Sequence, residues 1–351
     1  MIRTASAVAL LLLSLLGTGA CAAEPPRFTL AWSIYVGWMP WEYAASTGIL
    51  DRWADRYGIE IEVVQVNDYI ESINQYTAGQ FDAVTATNMD ILSIAAASGV
   101  DTTALIVGDY SNGNDGVVLR AADDLDAIRG RRVHLVELSV SHYLLARALD
   151  TVGMTERDIT LVNTADADMV GAWTGGGVPA LVTWNPMLNE IRGLPEARVV
   201  FDSSMTPGEI LDLTLVRTDV LEANPELGKA LVGAWYETME LIRDTETRDE
   251  ALAHMAAASG TDAAGYARQL ETTYLFADAA EAVDFVTSDA PRTTMQRVAE
   301  FSFEHGLLGP MAPDAGFVGI EFADGSVWGS TANVNLRFTD EYMRMAAEGE
   351  L

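Results

Sequence analysis

Between residues 27 and 110 the apolar positions change period repeatedly, from the two-residue repeat of strands to the wider spacing of helices. "RFTLAWS" (27–33) reads as a strand. Gly37 then breaks the pattern, and Pro40 suits the first turn of a helix expected to run to Tyr57. "IEIEVVQV" (59–66) alternates and then turns fully apolar, which predicts a second strand. Asp68 is placed to cap a helix through Ala78 that Gly79 ends. A short strand at 81–85, a helix over 90–98 and the strand "TALIVGDY" (103–110) follow.

The alternation resumes at Gly116. "GVVLR", "RRVHLVE", "ITLVNT", "PALVTW" and "ARVVFDSS" read as strands, and "ADDLDAIRG", "SHYLLARALDTVGM" and "DADMVGAWTGGG" as intervening helices. From "DLTLVRTDVLEANPELGKALVGAWYETMELI" onward the pattern predicts mostly helix, with Asn224-Pro225 capping one segment. "GIEFADGSVWG" predicts a hairpin around Asp324-Gly325, and a helix from Thr339 closes the chain. Alternating strands and helices mean an α/β fold on mainly parallel sheets. Ligands in such folds sit at the carboxyl ends of strands, here Ser33–Trp38, Val66–Asp68, Thr85–Asp90 and Gly108–Asn114.

The first 22 residues change the compartment. Arg3, an apolar run from Ala7 to Leu16 and small residues to Ala23 form a secretory signal, too short to span a bilayer. Either cleavage follows Ala22 and the protein is free in the periplasm, or Cys21 becomes a lipid anchor. Cys21 is the only cysteine among 351 residues, so a monomer holds no disulfide or cysteine metal site. The formal net charge is −30, with Lys229 the single lysine, and nucleic acid or an anionic membrane would be repelled.

Several segments together resemble one family. They are the aromatic loop "AWSIYVGWMPWEYA", "TNMD" after the third strand, "ELSVSHYLLARAL", "VTWNP" and "PGEILDLTLVRTDVLEANPE". With a signal peptide and a helical tail, they are similar to periplasmic solute-binding proteins of ABC importers, in the nitrate/sulfonate/taurine group. "NDYIESINQYTAG" and "ALIVGDYSNGND" further resemble binding proteins associated with urea carboxylase gene regions. The resemblance implies a two-lobed, type II binding fold with a helical C-terminal extension. The first lobe would hold 28–116 and 214–351, and the second 117–213. It implies a monomeric receptor that passes guanidine or urea to permease and ATPase subunits, with no cofactor and no metal.

The chemistry expected of such a site follows from the ligand. Guanidinium is flat and presents only N–H donors, so it needs carboxylates in its plane and aromatic faces above and below. Urea needs fewer carboxylates and at least one donor. The aromatic candidates are Trp32, Tyr35, Trp38 and Trp41, the last free to face cleft or core, with Trp53 assigned to the core. The acidic ones are Asp90, Asp109, Glu137 and Asp212, besides Asp68. Asn88, Ser139, Ser141 and Trp184 add directional contacts, as do Ser111, Asn112 and Asn185, and His142 at the helix start is a further site candidate. Glu137 stands just before the helix start that the family's anion binders use, and there it would repel sulfonate or nitrate. His142 has no metal-ligand spacing to His134, His254 or His305, and Ser139, His142 and Glu137 lack a nucleophile elbow. Alternatives are an anion binder, a sensory binding protein, or an enzyme like the pyrimidine-precursor synthases; the last uses a cysteine-rich motif that this chain lacks.

Overall fold

The computed structural model describes residues 24–351; the expected signal segment and Cys21 lie outside the described residues. The strands are β1 (Arg27–Trp32), β2 (Glu60–Gln65), β3 (Ala83–Thr87), β4 (Thr102–Ser111), β5 (Asp115–Arg120), β6 (Arg132–Leu135) and β7 (Thr160–Asn163). They continue with β8 (Ala180–Trp184), β9 (Ala197–Asp202), β10 (Leu211–Arg217), β11 (Thr273–Leu275), β12 (Gly319–Glu321), β13 (Val327–Trp328) and β14 (Val334–Phe338). One sheet runs β13-β12-β14-β4-β10-β3-β1-β2, with β11 against the end of β4; the other runs β7-β6-β8-β5-β9.

Both sheets are mixed rather than mainly parallel. β1 is parallel to β2 and β3, and β6 to β7 and β8. The strands that carry the chain between sheets run against their neighbours: β5 against β8 and β9, and β10 against β3 and β4. The crossings are residues 112–114 and 203–210, so each sheet receives one strand that enters from the other.

"DLTLVR" is a central strand, not the start of a helical region. Six of the seven residues of β10 are buried, and a strand buried on both faces shows no alternation to betray it. The expected helix from Pro40 to Tyr57 is two helices, Met39–Ser46 and Ile49–Tyr57, parted at Gly48 with φ 75°. The helix expected over 90–98 starts earlier, at Asn88, where Thr87 accepts the Asp90 N–H, and it winds as a π-helix over Ile91–Ala96. The "ADDLDAIRG" turn is 3₁₀, over Leu125–Ile128. The tail is not all helix: β14 adds to the first sheet beside β4, burying Leu336 and Phe338.

The second sheet is covered on both faces. Val117 and Leu119 point to a cluster with Leu144 and Leu145, while Val118 points to the opposite one with Trp173 and Leu188. The first sheet's cluster holds Trp41, whose Nε1–H donates to Thr214 Oγ1 at 3.1 Å and whose ring lies 5.2 Å from that of Trp235. Trp41 is therefore core. Trp53 is half-buried, with Nε1–H on Glu237 Oε2 at 2.7 Å.

Candidate functional site

After β1 the segment "SIYVGWM" turns sharply, with the Trp38 N–H donating to the Tyr35 carbonyl at 3.0 Å. This turn sets the Tyr35 and Trp38 rings edge to face, 4.9 Å apart. Tyr69, the first residue of the helix Tyr69–Thr77, continues the line 5.6 Å from Trp38, and Trp184 at the end of β8 lies 5.9 Å beyond it. The four rings, with Thr87, Asp115, Val140, Ile210 and Asp212, line a narrow cleft with room for only a small ligand. Asp115 and Trp184 come from the second sheet, and Tyr35, Trp38, Tyr69, Thr87 and Asp212 from elements of the first. The cavity is therefore an interlobe cage.

The cage is ringed by buried carboxylates. Asp212 pairs across β10 and β4 with Asp109, whose Oδ1 accepts the Tyr35 hydroxyl at 2.9 Å and whose buried carboxylate shares a hydrogen bond with the Asp212 carboxyl. Asp90 accepts from the Tyr69 hydroxyl at 2.7 Å and the Thr87 hydroxyl at 2.9 Å on one oxygen, while Oδ1 is buried and unpartnered. Asp115 accepts the Ser111 hydroxyl at 2.5 Å. Among the described residues, no lysine or arginine lines the cavity. Burial raises Asp90 to about 6, against the bonds from Tyr69 and Thr87 and from the Val140 backbone. Burial raises Asp115 to about 7. Burial also lifts Asp109, and it lifts Asp212 well above the carboxylate range, with the charges of Asp109 and Asp115 adding to the effect there. An ionised carboxylate out of water needs a cationic or donor partner. Asp115 and Asp212 thus stand on the lining beside the aromatic faces, with Asp90 and Asp109 behind it.

Of the residues singled out in the sequence, Tyr35, Trp38, Trp184 and Asp212 line the cage, and Asp90 and Asp109 stand directly behind it. Trp32 does not line it; as the last residue of β1 it is buried in the first core. Asn88 is a structural tie, donating to the Glu209 carbonyl and accepting the Leu211 N–H. Glu137 lies outside: β6 ends at Leu135, the Glu137 N–H donates to Asn163, and the residue lines an outer pocket with Asp68 and Asp166 on Tyr69 and Trp184. Ser139 caps the helix Val140–Thr151 by accepting the Ser141 N–H, and the Ser141 hydroxyl is buried without a partner. Tyr69 and Asp115 went unread. Asp115 stood in "NGNDG", where an acidic turn between strands is usually solvated, and nothing local shows that it is buried.

His142 also leaves the cage. Its Nδ1 accepts the Leu138 N–H at 3.1 Å, so Nε2 carries the proton it donates to Glu156 Oε1 at 2.7 Å. His305 reaches the same oxygen at 2.7 Å through Nε2 while its Nδ1 faces the Phe301 carbonyl at 2.9 Å. Both partners of His305 are acceptors, which favours the protonated ring, and the Glu156 bond first of all raises its pKa. The fold thus joins histidines whose sequence spacing gave no sign of a cluster. The trio suits a metal poorly, because His142 has no free Nε2 lone pair. Nearby, buried Glu209 accepts from the Tyr143 hydroxyl at 2.6 Å, Arg147 at 2.9 Å and Arg297 at 2.8 Å.

Two mixed sheets with an interlobe site are the architecture of periplasmic binding proteins. The chain superposes on the alkanesulfonate-binding protein of Xanthomonas axonopodis pv. citri, solved bound to MOPS, with TM-score 0.66 and 19% identity over 82% of this chain and 96% of that one. It superposes on the periplasmic nitrate-binding protein of Synechocystis PCC 6803 with TM-score 0.68 and 13% identity, over 93% and 89%. Residues 22–256 match the NMT1-like family, and the chain belongs to that family. Over 143 residues it is 27% identical to the taurine-binding periplasmic protein of Escherichia coli (strain K12), a match spanning 40% of this chain and 44% of that protein.

Proposed function

We propose that the protein is the periplasmic solute receptor of an ABC importer and that it captures guanidinium between its lobes for delivery to permease and ATPase subunits. Family membership and the taurine-binding relative support the transport role. The observation that carries the ligand class is the cage itself: aromatic rings and buried carboxylates, with no basic side chain on the lining among the described residues. A sulfonate or nitrate would meet Asp115 and Asp212 on the lining, with Asp90 close behind them.

One observation favours a second reading. Trp38 Nε1–H is buried without a partner, a donor that guanidinium leaves unused and the carbonyl of urea would accept. An enzymatic reading has less support, since His142 is bound to Glu156 and Ser139 to its own helix end. Tryptophan fluorescence tests the proposal, because Trp38 and Trp184 line the cage. Guanidinium should shift the emission saturably at micromolar concentration, while nitrate and taurine should leave it unchanged. A saturable response to taurine or nitrate alone would reject the ligand assignment.

A further inference from the structure

We infer that Asp115 is the specificity-determining residue that converts ligand charge into lobe closure, an inference that rests on the guanidinium reading. It is at once a wall of the cage and a knot in the hinge. The chain crosses between the sheets at residues 112–114 and again at 203–210. Asp115 opens β5 at the end of the first crossing and is 3% exposed. Its carboxylate accepts from Ser111, the last residue of β4, and Ser111 Oγ lies 2.6 Å from Ser203 Oγ at the start of the second crossing. Ser203 Oγ accepts the Gly113 N–H at 2.8 Å. One carboxylate therefore governs a hydroxyl pair that clamps both crossings.

The direction of that relay depends on charge. Each serine has one hydroxyl hydrogen. When Asp115 is ionised, Ser111 donates to it and Ser203 must donate to Ser111, a chain of charge-assisted bonds. A proton on the bonded oxygen of Asp115 reverses the chain and weakens it. The titratable groups electrostatically linked to Asp115 are Asp90, Asp109, Asp212 and Tyr35, none of them cationic. Burial first, and then the charge of Asp90, hold it up to about 7 against the Ser111 bond. A cation in the cage supplies the missing partner and sets the relay. A neutral ligand of the same outline does not.

Calorimetry with guanidinium chloride at about pH 7, in two buffers of different ionisation enthalpy, tests this together with lobe separation measured by X-ray scattering. Wild type should bind with release of part of a proton and should compact. Asp115→Asn should bind at least about 30-fold more weakly, the low end for losing one partner of a buried charge pair, with less proton release and no compaction at saturation. Ser203→Ala leaves the cage lining intact and should bind within about tenfold of wild type, the scale of one neutral hydrogen bond, yet compact less. This second variant keeps the test alive if Asp115→Asn fails to fold. Equal binding and equal compaction in wild type and both variants would overturn the inference and leave the receptor reading standing. Wild type that ignores guanidinium at millimolar concentration would overturn the ligand reading, and this assignment with it.

Discussion

At the residue scale, Gly37 shows how tightly the cage is built. A Cβ there would lie 2.2 Å from Asp109 Oδ2 and 2.6 Å from the Tyr35 ring. Gly37→Ala must push Asp109 off the Tyr35 hydroxyl, so guanidinium affinity should fall by about tenfold or more, with ~1–3 kcal/mol lost from stability by overpacking. Calorimetry and urea unfolding read the two effects separately. Trp38→Leu should keep the fold and weaken guanidinium by roughly 10- to 30-fold, the scale of one desolvated cation–π contact. An unchanged dissociation constant would remove Trp38 from the ligand's surface. The residues legible in advance were those in loops or near strand ends: Tyr35 and Trp38 follow β1, Trp184 closes β8 and Asp212 is the second residue of β10. Trp32, the last residue of β1, is buried in the first core instead, and no rule of composition separates it from Trp38.

At the scale of elements, the helix Val140–Thr151 is held to the helix Ala290–Glu304 through Glu209. Tyr143 and Arg147 reach it from the first helix and Arg297 from the second. Burial drives the Glu209 carboxyl up, and the bonds from Arg147 and Tyr143 more than offset it, leaving it below the ordinary range. Glu209→Ala should cost about 2 kcal/mol in urea unfolding: the buried bonds are lost, but both arginines are partly exposed and regain water. A loss below about 0.5 kcal/mol would mean the network is only a surface pairing. Period and capping residues located most elements, including the Asp68 cap, whose side chain accepts the Glu71 N–H. They failed where burial is complete, in β10, and where a glycine inside an apolar run split one helix into two. Which strands would lie beside each other was invisible, because the register that sets Asp212 opposite Asp109 joins segments a hundred residues apart.

At the scale of the whole molecule, pH acts on the cage and on His305 in the same direction. Asp90 and Asp115 titrate higher in the fold than in the unfolded chain. His305 is also raised, by the Glu156 bond first. A raised folded value gives stability that is full below the unfolded pKa and lost as pH climbs through the folded one. For the carboxylates that window runs from about 4 to about 7, and for His305 it begins near 6.5. Glu156 is lowered by its histidine partners, so its contribution disappears only on strong acidification. The ligand-free thermal midpoint should therefore fall between about pH 5.5 and 8, and guanidinium should raise it more at pH 8. A midpoint that climbs across this range would show that the carboxylates are already neutralised by something else.

The central claim is that the cage takes a planar cation. A crystal structure grown with guanidinium chloride tests it most directly. Flat density should lie among Tyr35, Trp38, Tyr69 and Trp184, with nitrogens about 2.7–3.0 Å from carboxylate oxygens of Asp212 and Asp115. An empty cage, or density only in the outer pocket of Asp68, Glu137 and Asp166, would contradict it.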